Sequence, residues 1–166
     1  MLSPPSSLRK LLENREWQSI TIGESAASVY RLVSPEQTDL ILKYQPRDQL
    51  RNLDGEMERM RWLSGKVDVP EVIDFIQDEK DDWLLMTALP GGDATTSKLP
   101  PKDQINLLAD NLRQLHSLDV TDCPFRHSND QCIAESAQIL HAGRINTDDF
   151  DQENIGPSLS DSFFER

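Results

Sequence analysis

With 166 residues the chain is long enough to bury a real core, as one domain or two small ones. Its 29 acidic against 17 basic residues leave a formal net charge of -12, which argues against nucleic acid, since phosphate binding rests on a basic footprint. Two cysteines, Cys123 and Cys132, are too few for a disulfide framework and fit no zinc spacing. The N-terminus MLSPPSSLRK lacks an apolar signal core and no run of about 18 apolar residues occurs, so a soluble, cytoplasmic protein with no membrane partner is expected.

Taken in order, the chain opens with a polar, proline-bearing lead over residues 1–7. Leu8, Leu11 and Leu12 then recur at helical spacing, which predicts a short helix over Leu8 to Asn14. From Trp17 the pattern becomes alternating. Trp17, Ile20 and Ile22 lead into the small-residue turn Gly23 to Ser28, and Val29 to Val33 follows as a second strand. A turn over Ser34 to Thr38 precedes a third strand, DLILKY, in which Leu40 and Leu42 fall on one face and Ile41 and Lys43 on the other.

Beyond Pro46 a helix is predicted from about Asn52, with Leu53, Met57, Met60 and Ser64 along one side and Gly65 placed to end it. Val72, Ile73, Phe75 and Ile76 mark a fourth strand. The charged stretch Asp78 to Asp82 reads as a turn, and Trp83 to Ala88 as a fifth strand. Leu89-Pro90-Gly91-Gly92 is the clearest punctuation and divides a first domain, residues 1–90, from a second, 91–166. Past Pro101 the reading is helical. Ile105, Leu108, Leu112, Leu115 and His116 form a stripe expected to be buried, with His116 as a core histidine; a further helix spans Asn129 to Ala142.

Lys43 is the residue that needs a reason. A lysine on a largely apolar strand either snorkels from a sheet edge or holds a phosphate group. In the second reading the Gly23 to Ser28 turn offers backbone N–H groups to the phosphates, and a carboxylate from the following helix steadies the ammonium. Glu56 is the best candidate for that carboxylate, with Glu58 as its rival. The order of loop, lysine strand, acidic helix, two strands, Pro-Gly hinge and helices is the plan of a protein-kinase-like nucleotide lobe.

The segments GESAASVYRL, LILKY, MRWLSGKVDVPEV, WLLMTALPG, LRQLHSLDVTDCPF and TDDFD make the resemblance specific: the chain resembles the aminoglycoside 3'-phosphotransferases over most of its length. The resemblance implies an α+β, protein-kinase-like fold, with a five-stranded antiparallel N-lobe crossed by one helix and the first helices of an α-helical C-lobe. It also implies ATP and Mg2+ as cofactors, aminoglycosides as the small molecules phosphorylated at the 3'-hydroxyl, and a role in antibiotic resistance. By that likeness Lys43 is the phosphate-binding lysine and Glu56 its partner, while Ser25 and Ala26 lie in the loop over the phosphates. Thr87 and Leu89 occupy the positions that meet the adenine edge, and Ile41 covers one face of the base, although core packing is the plain alternative for Ile41 and Leu89.

Asp148, Asp149, Asp151 and Glu153 stand where the family grips the amino groups of the drug; a solvated acidic turn is the competing view. No His-Gly-Asp triplet occurs in the sequence, so neither the catalytic aspartate nor the metal ligands are assigned. That departure leads to the expectation of an N-terminal portion with little phosphoryl transfer of its own. A related kinase acting on choline, homoserine or a ketosamine, and a non-catalytic nucleotide-binding module, stay open beside it. The oligomeric state is not legible.

Overall fold

The computed structural model describes residues 2–22, 27–47, 52–92, 94, 96–126 and 128–144. The chain divides into two compact units, Met1–Asp122 and Cys123–Arg166.

The first unit begins with helix α1 (Ser6–Leu12), which turns Leu8 and Leu12 inward and leaves Leu11 exposed. Glu13 takes an extended backbone, φ -63° and ψ 145°, so the helix stops two residues short of the predicted end, and Asn14 follows at φ 58°, a left-handed conformation asparagine tolerates better than most residues. Five strands follow: β1 (Glu16–Ile20), β2 (Ser28–Val33), β3 (Leu40–Pro46), β4 (Val72–Gln77) and β5 (Asp81–Thr87). They form one antiparallel sheet in the order β1-β2-β3-β5-β4. Helix α2 (Asp54–Leu63) connects β3 to β4, so the predicted sequence of one helix, three strands, one helix and two strands is the observed one.

The two faces of the sheet carry separate cores. On one face Leu32, Leu40, Leu42, Trp83 and Leu85 pack with Leu8 and Leu12 of α1. On the other, Leu84 and Met86 pack with Leu53, Met57 and Met60, flanked by Ile41, Val72 and Phe75. Strand alternation explains the division, because residues 40 and 42 of β3 must face away from residues 41 and 43. β5 lies between β3 and β4 and is covered on both faces, which is why residues 82–86 are all buried.

In β4 the register shifts between Val72 and Asp74, leaving Ile73 as the extra residue of a bulge and exposed. The bulge lets Val72 and Phe75, an odd number of residues apart, reach the same α2-side core.

Three further expectations differ. Ser64 is exposed at the end of α2, where Gly65 at φ +75° turns the chain away from the helix axis. Helix α3 (Pro101–His116) buries no residue: Ile105 is 66% and Leu108 60% exposed, and His116 is exposed too, so it is not a core histidine. The spacing places those side chains on one stripe, but a stripe is buried only if another element covers it. The third correction concerns Asp81 and Asp82, which belong to β5 and not to the preceding turn. Helix α4 (Asn129–His141), in the second unit, starts with a capping box in which Ser128 and Gln131 satisfy each other's backbone N–H groups.

Candidate functional site

β3 presents Lys43 on the sheet face that α2 covers. Its Nζ lies 2.6 Å from Glu56 Oε1, and both side chains keep a share of solvent, 23% and 38% exposed respectively. Local sequence explains the meeting. Glu56 sits in the first turn of α2, one position before Met57, whose side chain is drawn into the core against Leu84 and Met86. Burying Met57 and Met60 therefore rotates Glu56 toward the neighbouring strand. Glu58, the rival carboxylate, is exposed and makes no ion pair with Lys43.

The other candidate positions spread along the same part of the sheet. Ile41, two residues before Lys43, is half-buried against the α2-side core, and across the β3–β5 ladder it pairs with Met86 as Lys43 pairs with Leu84. Thr87 ends β5 opposite Leu40, three register positions from Lys43, or roughly 10 Å at the strand rise. Its backbone N–H donates to Glu71 O and its Oγ1 accepts from Glu71 N, both at 2.9 Å. The next residue, Ala88, donates its N–H to Asp39 O at 2.9 Å, after which Leu89 is exposed at 45%. A cavity of about 340 Å³ opens beside Leu89, lined also by Lys66, Asp68 and Gln114. Ser25, Ala26, Asp148, Asp149, Asp151 and Glu153 lie outside the described residues.

Two further groups brace this region. Arg31 Nη2 meets Asp39 Oδ2 at 2.8 Å, and its hydrogen bond, more than the added Ser34 N–H, holds the Asp39 carboxyl below the ordinary value of 3.8. The Tyr44 hydroxyl donates to Asp81 Oδ1 at 3.0 Å with its ring 4.4 Å from that of Trp83; burial first, and the carboxylate second, push its pKa up. Among the described residues no group of three or more His, Cys, Asp or Glu is arranged to hold a metal ion. No helix among them is long and apolar enough to cross a membrane.

Sequence reasoning missed Asp82. Its side chain is fully buried, with Oδ2 accepting the Leu53 N–H at 3.0 Å and Oδ1 accepting from Gln77 Nε2 at 3.1 Å. The signal was present: positions 82, 84 and 86 share one strand face, but four neighbouring charges made the stretch look like a turn.

A five-stranded antiparallel sheet, crossed by a helix whose glutamate pairs with a lysine of the third strand and followed by helices, is a protein-kinase-like fold. Within that class, the chain belongs to the phosphotransferase enzyme family, whose model matches residues 16–161. It is 32% identical over 156 residues to an aminoglycoside 3'-phosphotransferase of Escherichia coli, a match covering 91% of this chain and 58% of that protein. An aminoglycoside 3'-phosphotransferase of Streptomyces ribosidificus is also 32% identical, with 91% and 59% covered. Among solved structures, that of an aminoglycoside-3'-phosphotransferase of type VIII superposes with a TM-score of 0.73 at 32% identity, over 89% of this chain and 55% of that one. The chain thus spans less than two thirds of the length of these relatives.

Proposed function

We propose that this chain binds ATP as the nucleotide-holding part of an aminoglycoside 3'-phosphotransferase, an enzyme that moves the γ-phosphoryl group to a drug hydroxyl and so confers antibiotic resistance in the cytoplasm. The observation that carries the reading is the 2.6 Å contact between Lys43 and Glu56 on a half-exposed sheet face. A lysine held by one carboxylate keeps two ammonium protons to donate, which suits the α- and β-phosphates of a nucleotide. The roughly 10 Å from Lys43 to Thr87 along the ladder suits the span from phosphates to base.

In this reading Ile41 covers the base, and the backbone of Thr87 and Leu89 meets the adenine edge. Ser25 and Ala26 close over the phosphates. We also place a lobe boundary after residue 90, inside the first compact unit, with Leu89-Pro90-Gly91 as the hinge. Mg2+, when bound with ATP, neutralises phosphate charge; the described residues offer no cluster to hold it, and we assign it no ligands. Asp148, Asp149, Asp151 and Glu153 are proposed to attract the cationic drug, in keeping with the names of the relatives. With no His-Gly-Asp triplet in its sequence, the 166-residue chain holds nucleotide without transferring phosphate.

The test is an ATP titration of the chain and of Lys43→Ala by calorimetry, with a parallel assay of kanamycin phosphorylation. Loss of charge-assisted bonds to phosphate is expected to weaken binding roughly 10- to 100-fold. Equal affinity in the two proteins overturns the role of Lys43, and turnover at the rate of a full-length relative overturns the binding-only reading.

A further inference from the structure

Asp82 is the one fully buried carboxylate among the described residues, and nothing in the proposed nucleotide chemistry uses it. Its place follows from strand alternation: in β5, residues 82, 84 and 86 face α2, and Leu84 and Met86 form the floor on which Met57 and Met60 rest. Where a leucine would extend that floor, the chain has a charge. Buried charge is costly unless its partners satisfy it. Here each oxygen has one donor, the Leu53 N–H and the Gln77 amide.

Leu53 is the residue on which α2 starts. Its carbonyl accepts the Met57 N–H at 3.0 Å, the first turn of the helix, and its own side chain supplies no cap. A helix start leaves N–H groups without intrahelical acceptors and gathers the positive end of the helix dipole. A carboxylate reaching across from β5 answers both needs, so the cap of α2 comes from the sheet and ties the helix to it at one point. Glu56 lies three residues beyond that point and Lys43 lies on β3, the strand hydrogen-bonded to β5, with Gln45 paired opposite Asp82.

We propose, resting on the reading of Lys43 as the phosphate-binding lysine, that Asp82 is a positioning residue: by anchoring Leu53 it sets the height and rotation of the first turn of α2, and so holds Glu56 against Lys43. The nucleotide never touches Asp82. Its effect passes through Glu56 alone.

The experiment uses the 166-residue chain and three substitutions, Asp82→Ala, Asp82→Asn and Glu56→Gln, singly and combined. ATP affinity is measured by calorimetry, and the 15Nζ resonance of Lys43 by NMR without nucleotide. Asp82→Ala is expected to weaken ATP binding about three- to tenfold, the worth of one misplaced hydrogen bond. It is also expected to move the Lys43 resonance in the same direction as Glu56→Gln does. Asp82→Asn, which still offers an oxygen to the Leu53 N–H once the Gln77 amide turns over, restores most of both.

In the Glu56→Gln background, Asp82→Ala should change neither readout, although it still lowers the melting temperature; a purely structural role would leave the affinity loss undiminished there. An additive loss, or an Asp82→Ala protein with wild-type affinity and an unmoved resonance, overturns the proposal. If Asp82→Ala does not fold, Gln77→Met, which frees one carboxylate oxygen, takes its place in the same cycle and is judged by the same two outcomes. Should Lys43→Ala leave ATP affinity unchanged, the nucleotide reading fails, and the Lys43 resonance still decides whether Asp82 positions Glu56.

Discussion

A lysine on a strand and a glutamate on a helix, 13 residues apart in sequence, meet because each is next to residues that must be buried. Leu42 turns into one core, which sends Lys43 to the other face; Met57 turns into the second core, which brings Glu56 alongside. The chemistry of the pair is thus set by its apolar neighbours. Arg31 and Asp39 illustrate a second kind of residue, one whose charge braces the end of β5 through the Asp39 carbonyl. Because the folded state lowers the Asp39 pKa, that carboxylate contributes stability above its ordinary value of 3.8, and the contribution is lost as pH falls through the folded value. We expect Asp39→Asn to flatten the dependence of urea stability on pH between about 5 and 2, while wild type declines more steeply over that window. Identical slopes for the two proteins would refute the assignment.

At the scale of elements, β5 is the strand that cannot be changed cheaply, since both of its faces and both of its edges are occupied. β1 is its opposite, an edge strand with every residue exposed, although Trp17 sets its ring 5.5 Å from that of Tyr30 across the ladder. In β3, Leu42 is fully buried in the α1-side core. Leu42→Ala should cost about 2–5 kcal/mol in equilibrium unfolding, as a cavity in a packed core does, whereas Leu11→Ala on the outer side of α1 should cost less than about 1 kcal/mol. The alternation in LILKY made the facing of Leu42 legible beforehand, whereas the helical spacing grouped Leu11 with Leu8 and Leu12 and did not show that Leu11 faces outward. The bulge at Ile73 was not legible, because its cause is a shifted register with β5 and not a local turn signal.

At the scale of the molecule, the first unit combines a sheet with two cores and a helix, α3, that keeps its apolar stripe exposed. Ile105, Leu108, Leu112 and Leu115 are all exposed, and we expect so apolar a stripe to promote self-association. Replacing Leu108 and Leu112 with Gln should reduce dye binding and light scattering of the purified chain without lowering its melting temperature. A clear fall in melting temperature would instead mean that these side chains are packed in solution.

By itself the sequence determined the order of elements, the two-faced character of β3, the lysine and the glutamate partner worth considering, and the resemblance that led to the phosphotransferase enzyme family. These are properties of spacing and residue type, and period-two and period-3.6 patterns report them directly. Tertiary structure alone decided which carboxylate met Lys43, which stripes were covered, and that Asp82 was a buried cap and not part of a charged turn. The reason is physical. Whether a side chain is buried, and what satisfies it there, depends on elements distant in sequence, and for Asp82 that partner is an N–H 29 residues away.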